Sequence, residues 1–131
     1  MNNQKGFTLI EVMITAAVVV FVLVGFMGTN SAMQQATDSS FERTLALQDA
    51  NQVIERIRTA AATGTFPANA VTAFPDNGTV AGFTSLTGET VTVTYGNATA
   101  NPLDVRIQIQ WLENGRRAVR AHLRTLVTQR I

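Results

Sequence analysis

The chain has 131 residues, enough for one ordinary domain with one appended segment. Its 10 basic and 9 acidic residues leave a net charge of +1, which points to no particular partner. With no cysteine, a single histidine and a single lysine, disulfides, thiol nucleophiles and sulfur-ligated zinc are excluded, and the usual parts for catalysis are nearly absent.

From Phe7 to Gly28 every residue is apolar or small except Glu11. Residues 12–27 hold no charge, and the apolar run reaches about 20 residues, roughly 30 Å as a helix, enough to cross a bilayer core. A secretory signal would have a longer charged start, a shorter apolar stretch and a small-residue cleavage site beyond it. Here the charged start is confined to Met1–Gly6, and no such site precedes the polar stretch Thr29–Thr37. An uncleaved single-pass anchor fits the length but has no use for Glu11, because a carboxylate at helix-centre depth costs about 2.5 to 3.5 kcal/mol, and less near one end.

The run Lys5-Gly6-Phe7-Thr8-Leu9-Ile10-Glu11-Val12 resembles the processing site of the type IV filament proteins, the type IV pilins and the pseudopilins of type II secretion. The likeness lies in a short leader ending in Gly6, Phe7 directly after it, Glu11 four residues further on and an apolar helix behind. It is strong over about residues 5–30 and only architectural beyond. The resemblance implies that prepilin peptidase cuts between Gly6 and Phe7 and that the new Phe7 amine is N-methylated. It implies a chain held by one helix in the bacterial inner membrane, with its head on the outer side. Its partners would be that peptidase, other pilin or pseudopilin subunits and an inner-membrane assembly platform. It also gives Glu11 a role in assembly, since the family is thought to pair this carboxylate with the terminal amine of a neighbouring subunit. Within one chain the two groups are about 6 Å of helix apart, so a purely internal pair competes with that reading.

No strong breaker separates Gly28 from Ala62, and the pattern predicts one helix from about Leu9 to Ala61, roughly 80 Å long. Gly25 and Gly28 are its weak points, each costing about 1 kcal/mol relative to alanine. From Phe41 onward, Ala46, Leu47, Ala50, Val53, Ile54, Ile57 and Ala61 fall on one arc, the stripe of a helix lying on a sheet. Phe41 and Leu45 fall outside it with Gln48 and Gln52. Two exposed apolar residues are unremarkable alone, but with the filament motif present they are candidate contacts to a neighbouring subunit's helix.

Residues 63–88 are rich in Gly, Thr, Ala and Pro and read as an irregular connection, with a short strand near Thr79–Thr84. Three strands follow. Val91, Val93 and Tyr95 alternate with threonines; Leu103, Val105, Ile107, Ile109 and Trp111 alternate with polar residues; Val119, Ala121, Leu123, Thr125 and Val127 form the last set. A two-residue Asn-Gly loop would set Ile109 opposite Arg120 and bury charge. A three-residue loop over Glu113-Asn114-Gly115, with Gly115 left-handed, pairs Ile109 with Val119, Ile107 with Ala121 and Val105 with Leu123. It also sets Asp104 opposite Arg124 and Arg106 opposite His122.

The fold class expected is therefore α+β: a long N-terminal helix, membrane-spanning in its first half, packed against a small antiparallel sheet. The segments are a cleaved leader 1–6, an apolar helix 7–36 and a head 37–131. No catalytic residue, metal or cofactor is expected; Asp76, Asn77 and Glu89 supply too few oxygens for calcium. Arg106, Arg116, Arg117, Arg120 and Arg124 form a candidate basic surface that could track a nucleic-acid backbone, though a solvated hairpin face is the commoner reason for such residues. The small size, the absent cysteines and the segment Asp49–Arg58 resemble a minor pilin of the V type, or a minor pseudopilin, more than a major subunit.

Overall fold

In the computed structural model, which describes residues 8–129, helix α1 runs unbroken over Leu9–Ala62. It is followed by α2 (Ala68–Ala73), β1 (Gly78–Thr79), β2 (Thr90–Tyr95), β3 (Leu103–Glu113) and β4 (Arg117–Val127). The chain divides between Thr37 and Asp38 into two units, and each obeys its own physical rules.

In the first unit α1 starts where the Thr8 carbonyl accepts the N–H groups of Glu11 and Val12, at 3.0 and 3.3 Å. The helix carries Leu9, Ile10, Val12, Met13, Ile14, the run Val18–Val24, Phe26 and Met27 exposed on all sides. It is long and apolar enough to cross a membrane. Its hydroxyls are turned back onto its own backbone: Thr15 donates to the Glu11 carbonyl at 2.7 Å and Thr29 to the Gly25 carbonyl at 2.9 Å. In a medium without water, that is how a polar side chain on a helix avoids being left unsatisfied. The helix continues through both Gly25 and Gly28.

The second unit is built on a four-stranded antiparallel sheet in the sequential order β1-β2-β3-β4. The alternation read from the sequence sends Val91 and Val93 of β2 and Leu103, Val105, Ile107, Ile109 and Trp111 of β3 inward, where all are buried. Against them lie Ala46, Ala50, Val53, Ile54, Ile57 and Ala61 of α1, with Ala70, Phe83 and Leu86 from the connection closing the core. Small residues at Ala46, Ala50 and Ala61 let the helix approach the sheet closely, while the branched residues between them fill the space. The connection 63–88 contains α2 and a strand of only Gly78–Thr79, shorter than the strand expected there.

Three expectations are corrected. Leu47, placed on the buried stripe, is exposed, whereas Leu45 is half-buried against the core and Asp49 is buried. Adding Glu42 and Asp49, which also face the sheet side, turns the centre of the stripe away from Leu47 and towards Leu45.

The hairpin register is also corrected. Ile109 faces Ala121, Ile107 faces Leu123, Val105 faces Thr125, and Trp111 is the residue opposite Val119. The loop does have three residues and Gly115 is left-handed, but it comprises Asn114-Gly115-Arg116, because Asn114 also takes positive φ, 51° beside 66° for Gly115. Moving the turn one residue along makes Glu113 and Arg117 the closing pair, with carboxylate and guanidinium 3.7 Å apart. The slip is one full side-chain period, so the apolar face is preserved. Arg106 consequently stands opposite Arg124, not His122, and Asp104 reaches Arg124 diagonally.

Candidate functional site

Glu11 lies in the first turn of α1. There the helix dipole is positive, so a carboxylate is better tolerated than further along. It is the only charged residue between Thr8 and Thr37, and its side chain is exposed, as are the apolar residues around it. The start of the helix can therefore offer one carboxyl group from an otherwise apolar surface. Gly6 and Phe7, with the expected scission between them, lie outside the described residues.

In the head, Phe41 is exposed, at 64% of its full accessibility, and so offers apolar surface to another molecule. Leu45 does not share that exposure, since it packs on the core of its own unit.

The five arginines divide. Arg106, Arg120 and Arg124 share the outer sheet face with His122, while Arg116 and Arg117 stand at the hairpin end. Arg124 is bidentate on Asp104, with both N–O distances 2.8 Å, and Arg106 reaches the same carboxylate at 4.0 Å. The hydrogen bonds from Arg124 hold the Asp104 carboxyl below its ordinary range, and the carboxylate raises the Arg124 guanidinium in return. Arg117 faces Glu113, and Arg120 donates from Nε to Gln110 Oε1 at 3.2 Å. Internal carboxylates thus neutralise much of what the sequence presented as a basic surface.

Three polar arrangements were not anticipated. Glu42 of α1 accepts from Trp111 Nε1 and from the Asn114 backbone N–H, both at 3.1 Å, tying the helix to the hairpin end. Tyr95 donates its hydroxyl to the Phe74 carbonyl at 2.8 Å, and burial, with Asp76 nearby, pushes that hydroxyl up to about 12. Asp49 of α1 is buried beside Glu89. A signal for the first and third was present: Glu42 and Asp49 are seven residues apart and both fall on the apolar side of α1, where an acidic residue needs a partner. Among the described residues no three His, Cys, Asp or Glu side chains converge as metal ligands would.

The chain thus combines an α+β unit with an apolar helical segment that carries one carboxylate near its start. Residues 1–27 match the family model described as the prokaryotic N-terminal methylation motif. That motif is the signature of precursors of the type IV pilin and pseudopilin kind. No curated protein and no solved structure matches the chain.

Proposed function

We propose that this protein is a minor structural subunit of a type IV pilus. It enters the inner membrane through α1, with its head outside the cytoplasm. Prepilin peptidase cuts it between Gly6 and Phe7, the Phe7 amine is methylated, and the chain then joins a filament or its initiating tip complex through the assembly platform. The observation that carries this reading is the methylation motif over residues 1–27, coinciding with the apolar start of α1, in which Glu11 is the sole charge as far as Thr37.

The chemistry follows from the cut. Scission exposes a cationic amine at Phe7, at the edge of the apolar phase, and methylation leaves it basic. Neither that cation nor the Glu11 carboxylate is tolerated alone there, so they pair. In a staggered bundle of helices the Glu11 of one subunit meets the Phe7 amine of the next, and this fixes their register. Phe41 adds apolar contact with a neighbour further along the helix.

The motif describes pseudopilins equally well, so a minor pseudopilin of type II secretion is the second reading, separated from the first by whether the neighbouring genes encode pilus or secretion components. A stalked DNA-binding pilin draws less support, because Asp104 and Glu113 already engage Arg124 and Arg117.

The test is Glu11→Val. Membrane insertion and cleavage should persist, since the change only removes a polar group from an apolar run, while the protein disappears from sheared filaments. Wild-type incorporation would refute the role of Glu11 in assembly, and loss of cleavage would make it a recognition element for the peptidase.

A further inference from the structure

The segment Val80–Glu89 crosses the core between β1 and β2, and its side chains Phe83 and Leu86 are buried. Both ends are tied to the sheet. The Val80 N–H donates to the Val91 carbonyl at 2.9 Å, and the Leu112 N–H donates to the Thr87 carbonyl at 2.9 Å. What holds it to α1 is less ordinary, because Glu89 meets Asp49, a second acidic side chain, and Asp49 is only 5% exposed. Asp49 Oδ2 and Glu89 Oε1 are both shut off from solvent, and neither receives a hydrogen bond from any protein donor.

Two ionised carboxylates cannot share such a place cheaply: each loses water, they repel, and two acceptor oxygens face no proton. One proton removes all three problems, because a carboxylic acid donates to a carboxylate. We propose that Asp49 and Glu89 hold one proton between them, and that this proton is the latch closing the strap 80–89 over the core, so that the strap opens as rising pH removes it.

The surroundings agree. Glu89 Oε2 accepts the Leu86 N–H at 3.1 Å, which leaves Oε1 as the buried oxygen without a donor. Burial first, and then the Asp49 charge and its hydrogen bond, raise the Glu89 carboxyl above its ordinary 4.5, while the Leu86 and Ser85 N–H groups only partly oppose this. The nearby cation on α1, Arg56, lies over the Phe83 ring at 4.8 Å. Glu42 is engaged by Trp111 and Asn114, Asp76 by the Tyr95 N–H, and Glu113 by Arg117.

The sign is opposite to that of an ordinary ion pair. A carboxyl group raised on folding binds more protons in the folded state, so its contribution is fully present below 4.5 and is lost as pH climbs through the raised value. Amide hydrogen exchange of the full-length chain in detergent micelles, corrected for intrinsic rates, reads this at the Leu86 and Leu112 N–H groups. In the wild type the opening constant should grow by up to about tenfold per pH unit between 4.5 and the raised value, and level off above it. In Glu89→Gln, whose amide keeps a donor towards Asp49 at every pH, the dependence should vanish. Carbon-13 titration of the wild-type Glu89 carboxyl should place its midpoint above 4.5. A midpoint at or below the ordinary value, or the same pH slope in wild type and Glu89→Gln, would overturn the proposal.

Discussion

Up to Gly28 helix α1 turns apolar side chains outward on every side, and its threonines Thr15 and Thr29 return their hydroxyls to its own carbonyls; after Asp38 the same helix buries a narrow stripe and leaves the rest largely polar. The first arrangement suits a medium that offers no hydrogen bonds, where apolar surface needs no cover and each polar group needs an internal partner. The second suits water, where stability comes from removing apolar area. One continuous helix therefore carries two residue patterns, each suited to a different solvent. Polar groups carry different meanings on the two sides. Glu11 stands without a cation among the described residues of its unit, whereas Glu42 and Asp49 meet partners supplied by the head.

The sharpest way to break this contrast is to shorten a large apolar residue on each side. Trp111→Ala should destabilise the head by about 3 to 5 kcal/mol, since the ring is fully buried and its indole N–H bond is lost with it. Val20→Ala, in the exposed apolar run, should leave the unfolding of the head unchanged. Urea unfolding of the full chain in detergent micelles, followed by tryptophan fluorescence for Val20→Ala and by circular dichroism for Trp111→Ala, measures both. Equal effects would mean that the two halves do not differ in what stabilises them.

A smaller effect is expected from Glu42→Ala, which strips the partner from Trp111 Nε1 and the Asn114 N–H. An orphaned, partly buried donor costs about 1 to 3 kcal/mol. The same unfolding measurement applies, and a neutral result would show that water replaces the carboxylate at both donors.

The smallest effect concerns the exposed pair of Asp104 and Arg124. The Asp104 carboxyl is lowered below its ordinary 3.8, so the pair contributes above that value and the contribution is lost as pH falls through the lowered one. Arg124→Gln should flatten this acid-side dependence and do little at neutral pH, because exposed pairs are screened. Unfolding midpoints of wild type and Arg124→Gln between pH 2 and pH 7, roughly spanning that range, compare the two.

Much of this was legible in the sequence where a strict period operates. The alternation of Leu103–Trp111 and of Val119–Val127 fixes which side chains point inward, and the lack of breakers after Gly28 gives the long helix. Parity, however, cannot distinguish registers that differ by a whole period. The choice fell to Asn114 adopting positive φ and to Glu113 meeting Arg117, both local conformational facts. The helix stripe holds at Ala46, Ala50, Val53, Ile54, Ile57 and Ala61 and fails at Leu47, because Glu42 and Asp49 also face inward and their partners come from β3, the hairpin turn and the strap. The motif at Gly6, Phe7 and Glu11 was readable because its residues lie within a few positions of one another, so that no fold is needed to bring them together. The pairing of Asp49 with Glu89 joins residues distant in sequence, and only the folded chain brings them together.

The central claim is that this chain is processed and assembled as a filament subunit, and the most direct measurement is the intact mass and N-terminal sequence of the protein recovered from cell membranes. The account predicts a chain that begins at Phe7 and carries one added methyl group on its terminal amine. A chain recovered with Met1–Gly6 still attached would contradict it.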